Sequence, residues 1–248
     1  MAPVDPGQGG IVCRLYPEFD RDIAVAVQVC QEVDHVRRQA VGPRRYRDST
    51  ERGRAQYLRV RGVPGRLGFV TKELSEGGPI YDIGVHVLDL TLHLMGFPEP
   101  VSVSAGVYNK LASKRSKLMP FPPNKYTVPD DAAFALIRFE GGATVLLEAS
   151  WALNLVSGAH NVILCGDKGG CQLEPTALVR ERAGVLENVT NEIFQYPERA
   201  GHVEEVRRFV EAILKKKPSP VPGEEALITQ RILDGIYKSG ELQKEVEV

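Results

Sequence analysis

Apolar residues recur along this chain at two distinct spacings, and the change from one to the other marks its elements. Ile23, Val27 and Cys30 follow helical spacing within Asp20 to Val33, with Asp20 placed as an N-cap. Tyr81 to Leu94 is apolar at nearly every position not held by Asp82, His86, Asp89 or His93, and Gly96 stands where such a helix would stop. Val101 to Val107 then alternates strictly, the pattern of a half-buried strand. Ala132 to Phe139 and Ala143 to Trp151 are β-rich runs joined through Glu140-Gly141-Gly142, a hairpin signal. Shorter strands are predicted at Asn161 to Cys165, Cys171 to Leu173 and Ala177 to Arg180, the first two flanking the turn-rich Gly166 to Gly170. Val203, Val206, Phe209 or Val210, and Ile213 form one helical stripe expected to be buried, ended by Pro218. A last helix starts after Pro222-Gly223 and presents Leu227, Ile228, Ile232 and Ile236. The predicted class is α+β, with a meandering antiparallel sheet, helices, and few parallel βαβ units.

Composition narrows this little: 43% hydrophobic and 25% charged residues over 248 positions describe an ordinary globular chain, not a disordered or coiled-coil one. A net charge of −1 makes the whole molecule no polyanion binder. No run reaches the roughly 18 apolar residues of a membrane helix, and the N-terminus lacks the charge order of a signal peptide, so a cytoplasmic protein is expected. Cys13, Cys30, Cys165 and Cys171 form no C-x-x-C pair and read as buried thiols of a reducing compartment.

Charge distribution is more informative than charge. All 11 Lys lie at or after Lys72, whereas Arg37 to Arg66 holds ten Arg, two acids and no Lys, a local charge of +8. Broken by Gly42-Pro43, Gly53, Gly62, Pro64 and Gly65, this stretch is expected to be mostly loop with one short strand near Tyr57 to Val60. Ten Arg invite a nucleic-acid reading. The absence of Lys, the scarcity of aromatic residues and the lack of a helix-turn-helix or RRM pattern argue against it, and a solvated basic arm is the expectation. The predicted organisation is an N-terminal arm over residues 1–66, with one short helix and the Arg-rich region, followed by an α+β domain over 67–248.

On a helix, Asp82, His86, Asp89 and His93 fall within roughly 60° of one another and share one stripe. An Asp four residues before a His can fix its tautomer and raise its basicity, as proton transfer near neutral pH requires. Such residues equally serve as mutually satisfied polar groups, and structural pairs outnumber catalytic ones, so spacing alone favours the structural reading. A zinc site is the third reading, weakened by the lack of a recognisable third-ligand motif; no metal is expected. The search for a dinucleotide fingerprint finds only Gly7-Gln8-Gly9-Gly10, with Val12 where the third Gly belongs and too few residues ahead for a strand; no cofactor-binding residue is assigned.

Glu76-Gly77-Gly78-Pro79-Ile80-Tyr81-Asp82-Ile83-Gly84-Val85-His86-Val87-Leu88-Asp89 resembles a segment of the Gfo/Idh/MocA oxidoreductase family, departing at Glu76 and Ile80. Phe69 to Leu74, Glu148 to Asn154, Gly166 to Gly170 and Pro222 to Leu227 are similar to that family too, so the resemblance covers about Leu67 to Val248. It implies an open, mostly antiparallel sheet covered by helices, of dihydrodipicolinate-reductase-like type, that holds a sugar or polyol and forms a homo-oligomer through the sheet. By the resemblance Asp82 and His86 assist proton transfer as hydride passes between a sugar or cyclitol carbon and NAD or NADP, Asp89 is a structural or pocket residue, and Lys72, Trp151 and Asn154 line the pocket. The family's Rossmann domain should precede this region. No βαβ unit can be drawn before Leu67, so the expectation is a substrate and oligomerisation half lacking its cofactor domain and inactive alone. The alternative is a non-catalytic binding or dimerisation module.

Overall fold

The structure, a computed structural model, describes residues 50–114, 116–118, 123–189 and 200–248. Its strands are β1 (Thr50–Leu58), β2 (Pro100–Tyr108), β3 (Ala132–Phe139), β4 (Thr144–Ser150), β5 (Ala159–Gly166), β6 (Gly169–Gln172), β7 (Ala177–Arg182), β8 (Val185–Asn188) and β9 (Val246–Glu247). Its helices are α1 (Leu67–Val70), α2 (Lys72–Ser75), α3 (Val85–Met95), α4 (Ala200–Leu214) and α5 (Gly223–Leu242). A π-helical turn, Ile80–Gly84, leads into α3. The expected helix over Asp20 to Val33 lies outside the described residues.

Two compact units divide the chain, one of residues 50–167 with 227–248 and the other containing 168–226. In the first, the strand order is β5-β1-β4-β3-β2-β9. Only β1 and β4 run parallel; β5–β1, β4–β3, β3–β2 and β2–β9 are antiparallel. The fold is α+β with an open, mostly antiparallel sheet.

The two-residue period of a strand separates the faces of this sheet. Across one row of register, Val162, Ala55, Leu147 and Ala135 are partners and all four are buried. One residue along, Ile163, Arg54, Leu146 and Leu136 form the next row, in which Arg54 and Leu146 are exposed. The π turn and α5 pack on the buried face. Gly84 lies so close to β4 that a Cβ there would stand 3.1 Å from that of Ala149, and Ser239 of α5 accepts the N–H of Ala105 on β2 at 2.8 Å. Buried Val87, Leu88 and Leu92 of α3 and Ile232, Leu233 and Ile236 of α5 fill the core.

The Arg-rich stretch departs from expectation. Its described part contains a nine-residue strand, β1, embedded between β5 and β4, where mostly loop was predicted. Alternation of Arg52, Arg54 and Gln56 outward against Gly53, Ala55 and Tyr57 inward supports the strand, and the arginines obscured that pattern. The predicted division at 66/67 therefore passes through a compact unit that begins at Thr50.

The hairpin at Glu140-Gly141-Gly142 forms as predicted, with Gly141 and Gly142 at φ 79° and 87°. In the second unit, β6, β7 and β8 make an antiparallel meander whose last strand was not anticipated. The apolar stripe of α4 is a correction: Val203, Val206, Phe209 and Ile213 are exposed, not buried. Cys165 and Cys171 are half-buried, not fully enclosed, and Cys13 and Cys30 lie outside the described residues.

Candidate functional site

The site is assembled where the buried face of the sheet meets the turn before α3. Val145, Leu147, Ala149 and Trp151 alternate along β4 and beyond its end, so Trp151 continues the inward row and is fully buried. Close approach of Gly84 to Ala149 lays the π turn on that row. The Trp151 indole N–H then donates to the Asp82 Oδ2 at 2.8 Å. In the π turn the Val85 N–H reaches the Ile80 carbonyl, one residue further than in an α-helix. His86 follows in the first turn of α3, so the wide turn carries Asp82 and the regular helix carries His86.

The same inward row of β1 continues through Ala55, Tyr57 and, beyond the strand, Arg59. Tyr57 is the register partner of His160 on β5, with ring centroids 4.8 Å apart. Arg59 stacks 5.0 Å from the Tyr57 ring centroid, and its Nη2 donates to the Tyr57 hydroxyl at 3.0 Å. Burial lowers the affinity of His86 for a proton, and the nearby His160 and Arg59 lower it further, to a pKa of about 3. The imidazole is therefore neutral at neutral pH, able to accept a proton at one nitrogen and donate at the other. Sequence reasoning missed Tyr57, Arg59 and His160. Alternation along β1 was the available signal for the first two, whereas the pairing with His160 is a matter of register.

Other predicted residues engage different partners. Asp89 accepts from the Thr229 hydroxyl of α5 at 3.3 Å. Asn154 is exposed and accepts from Arg61 Nη2 at 2.5 Å. Lys72 is exposed at the start of α2, with its N–H donated to the Thr127 hydroxyl at 2.8 Å. His93 meets Phe97 edge-on near the end of α3. The loop before the π turn is held from below. The Asp130 carboxylate, fully buried, accepts the Gly78 N–H and the Tyr237 hydroxyl, each at 2.8 Å. Desolvation raises its pKa to about 6, against the lowering effect of those hydrogen bonds. Tyr81 donates to Asp234 of α5 at 3.0 Å, and burial and that carboxylate raise its pKa to about 12.

A family profile for the C-terminal alpha/beta domain of the Gfo/Idh/MocA oxidoreductases matches residues 70–248. The chain belongs to that family. D-glucoside 3-dehydrogenase of Escherichia coli (strain K12) is 33% identical over 197 residues, covering 78% of this chain and 55% of the relative. The chain spans about half the length of the curated relatives it matches. Among solved structures, aldose-aldose oxidoreductase from Caulobacter crescentus, complexed with glycerol, superposes with a TM-score of 0.67 at 20% identity, covering 94% of this chain and 62% of that one. Levoglucosan dehydrogenase in complex with NADH and L-sorbose superposes at 0.66 and 19%, covering 96% and 66%. At these identities the two structures establish the Gfo/Idh/MocA fold.

Family membership raises the question of a dinucleotide. No G-x-G-x-x-G turn joins a strand to a helix among the described residues. Nor does any group of three or more His, Cys, Asp or Glu among them suit a metal ion, and no described helix is long and apolar enough to cross a membrane.

Proposed function

We propose that this chain is the substrate-holding part of an NAD(P)-dependent oxidoreductase that interconverts a hydroxyl of a sugar or cyclitol with the corresponding ketone. The observation that carries this reading is a carboxylate held by a buried indole, Asp82, placed four residues before an imidazole that burial keeps neutral, His86. Kinship with D-glucoside 3-dehydrogenase supplies the substrate class. In this reading Asp82 accepts a hydrogen bond from the sugar and orients it, and His86 takes the proton of the hydroxyl being oxidised. Burial, His160 and Arg59 hold this imidazole at a pKa of about 3, the reverse of the raised basicity expected of a His four residues after an Asp, so it takes the proton only late, once loss of hydride has made the hydroxyl strongly acidic. Exposed Lys72 and Asn154 supply further polar contacts to the sugar, while Trp151 acts through Asp82, and Asp89 through the attachment of α3 to α5.

NAD or NADP enters this proposal by kinship alone. The described residues do not form a dinucleotide-binding unit, so the cofactor is assigned to a Rossmann domain outside them, and the chain is expected to be inactive by itself. A cytoplasmic setting and self-association through the exposed face of the β5-β1-β4-β3 sheet belong to the same proposal.

The test is complementation. The chain mixed with a separately expressed Rossmann domain of a related enzyme should form NADH from glucose, a methyl glucoside or inositol, with His86→Ala lowering the rate about 10²-fold or more. No NADH from a folded chain would overturn the catalytic reading and leave the non-catalytic binding module.

A further inference from the structure

We propose that the adjacent pair Asp130–Asp131 is the positioning device of Asp82, Asp130 holding the backbone that enters its turn and Asp131 holding the backbone of Trp151, whose indole binds its carboxylate. The inference rests on the reading of Asp82 as a substrate-contacting group and adds the residues that place it.

Each half of the device is a buried carboxylate with defined partners. Asp130 Oδ1 accepts the Gly78 N–H and the Tyr237 hydroxyl at 2.8 Å, and Oδ2 accepts the Ile80 N–H at 3.4 Å. Those amides bracket Pro79, immediately before the π turn. No side chain can intervene, since a Cβ on Gly78 would lie 2.3 Å from the Asp130 carbonyl. Asp131 Oδ2 gathers the N–H groups of Lys110, Leu111 and Ala112 at 2.9, 2.6 and 2.8 Å. That cradle fixes the Asp131 backbone, whose carbonyl accepts the Trp151 N–H at 2.9 Å. Trp151 then reaches Asp82 at 2.8 Å. Two hydrogen-bonded paths therefore leave neighbouring residues and converge on one carboxylate from its backbone and side-chain ends.

The groups facing Asp130 are Tyr237 from α5, the Tyr126 hydroxyl on its own carbonyl, neighbouring Asp131, and the Gly78 and Ile80 amides. Its raised pKa of about 6 makes the Asp130 path sensitive to protonation near neutral pH, because a carboxylic acid gives up part of its acceptor capacity to these donors.

Trp151 is the only tryptophan in the sequence, so the chain has one indole N–H signal in a ¹⁵N-correlated NMR spectrum, and it reports on the bond to Asp82. In the full chain that signal should shift with a midpoint near pH 6. Asp130→Asn should displace it and abolish the shift, whereas Tyr237→Phe should move the midpoint upward by removing a bond to the ionised form. His160→Gln should retain the step, which excludes that imidazole as its source. Asp131→Asn should displace the signal at every pH. A signal that does not titrate between pH 5 and 7.5, or an Asp130→Asn spectrum that superposes on wild type, overturns the proposal. If Asp130→Asn does not fold, an unchanged midpoint in Tyr237→Phe overturns it instead. An indole signal that titrates as described but fails to respond to glucose or inositol would leave the positioning device standing and count against the sugar reading.

Discussion

His86 and Asp130 are both titratable groups withdrawn from water, and their linkage to stability has opposite signs. His86 binds its proton at about pH 3 in the folded chain, against 6.5 in an unfolded one. The unfolded state therefore holds more protons between those values, and stability falls as pH drops from 6.5 toward 3, on the order of 5 kcal/mol over the whole window. Asp130 goes the other way: its folded value of about 6 lies above the reference 3.8, so the folded state binds more protons in between. That contribution costs stability as pH rises from about 4 to 6, on the order of 3 kcal/mol. In urea unfolding followed across pH 4 to 7, His86→Leu should lose stability less steeply on acidification than wild type. An identical slope in the two proteins would show that the imidazole is not kept neutral by the fold.

At the scale of elements, two glycines show how the segment before α3 is held in place. Gly78 has no room for a side chain, because its Cβ would meet the Asp130 carbonyl at 2.3 Å, whereas one on Gly65 would meet nothing within 4 Å. Gly78→Ala should therefore cost at least about 2 to 3 kcal/mol and displace the turn that carries Asp82, while Gly65→Ala should stay within about 0.5 kcal/mol. Urea midpoints of the two variants provide the comparison, and equal midpoints would contradict the packing described. Most elements were legible from periodicity, including the stop at Gly96 and the Gly141-Gly142 hairpin. The interior strand β1 was not, because exposed arginines on one face and small residues on the other leave a weak apolar alternation. The stripe on α4 shows the converse: helical spacing identifies an apolar face but not whether anything covers it.

For the whole molecule, the open face of the first unit's sheet is the surface on which self-association can be tested. Leu146, 48% exposed in the centre of that face, is flanked in register by Arg54 and Leu136. Arg54 pairs with Glu148 at 2.7 Å on the same side, a surface ion pair contributing at most about 1 kcal/mol. Burying Leu146 against a second copy would be worth about 1.5 to 3 kcal/mol per side chain. Leu146→Glu should accordingly shift an oligomer toward monomer in light scattering with its circular dichroism unchanged; a wild-type chain that is monomeric at high concentration would refute association through this face.

Local pattern by itself determined the α+β class, most element positions and the shared stripe of Asp82 and His86, because helix and strand periods are written in neighbouring residues. It left open whether that stripe faces a site or merely satisfies itself, and it hid Tyr57, Arg59 and His160. Only the tertiary structure brought those three residues to light. Register between strands far apart in the chain sets His160 beside Tyr57, and the close approach of Gly84 to Ala149 brings the Trp151 indole to Asp82. Such contacts depend on which surfaces meet in three dimensions, which no spacing along the chain specifies.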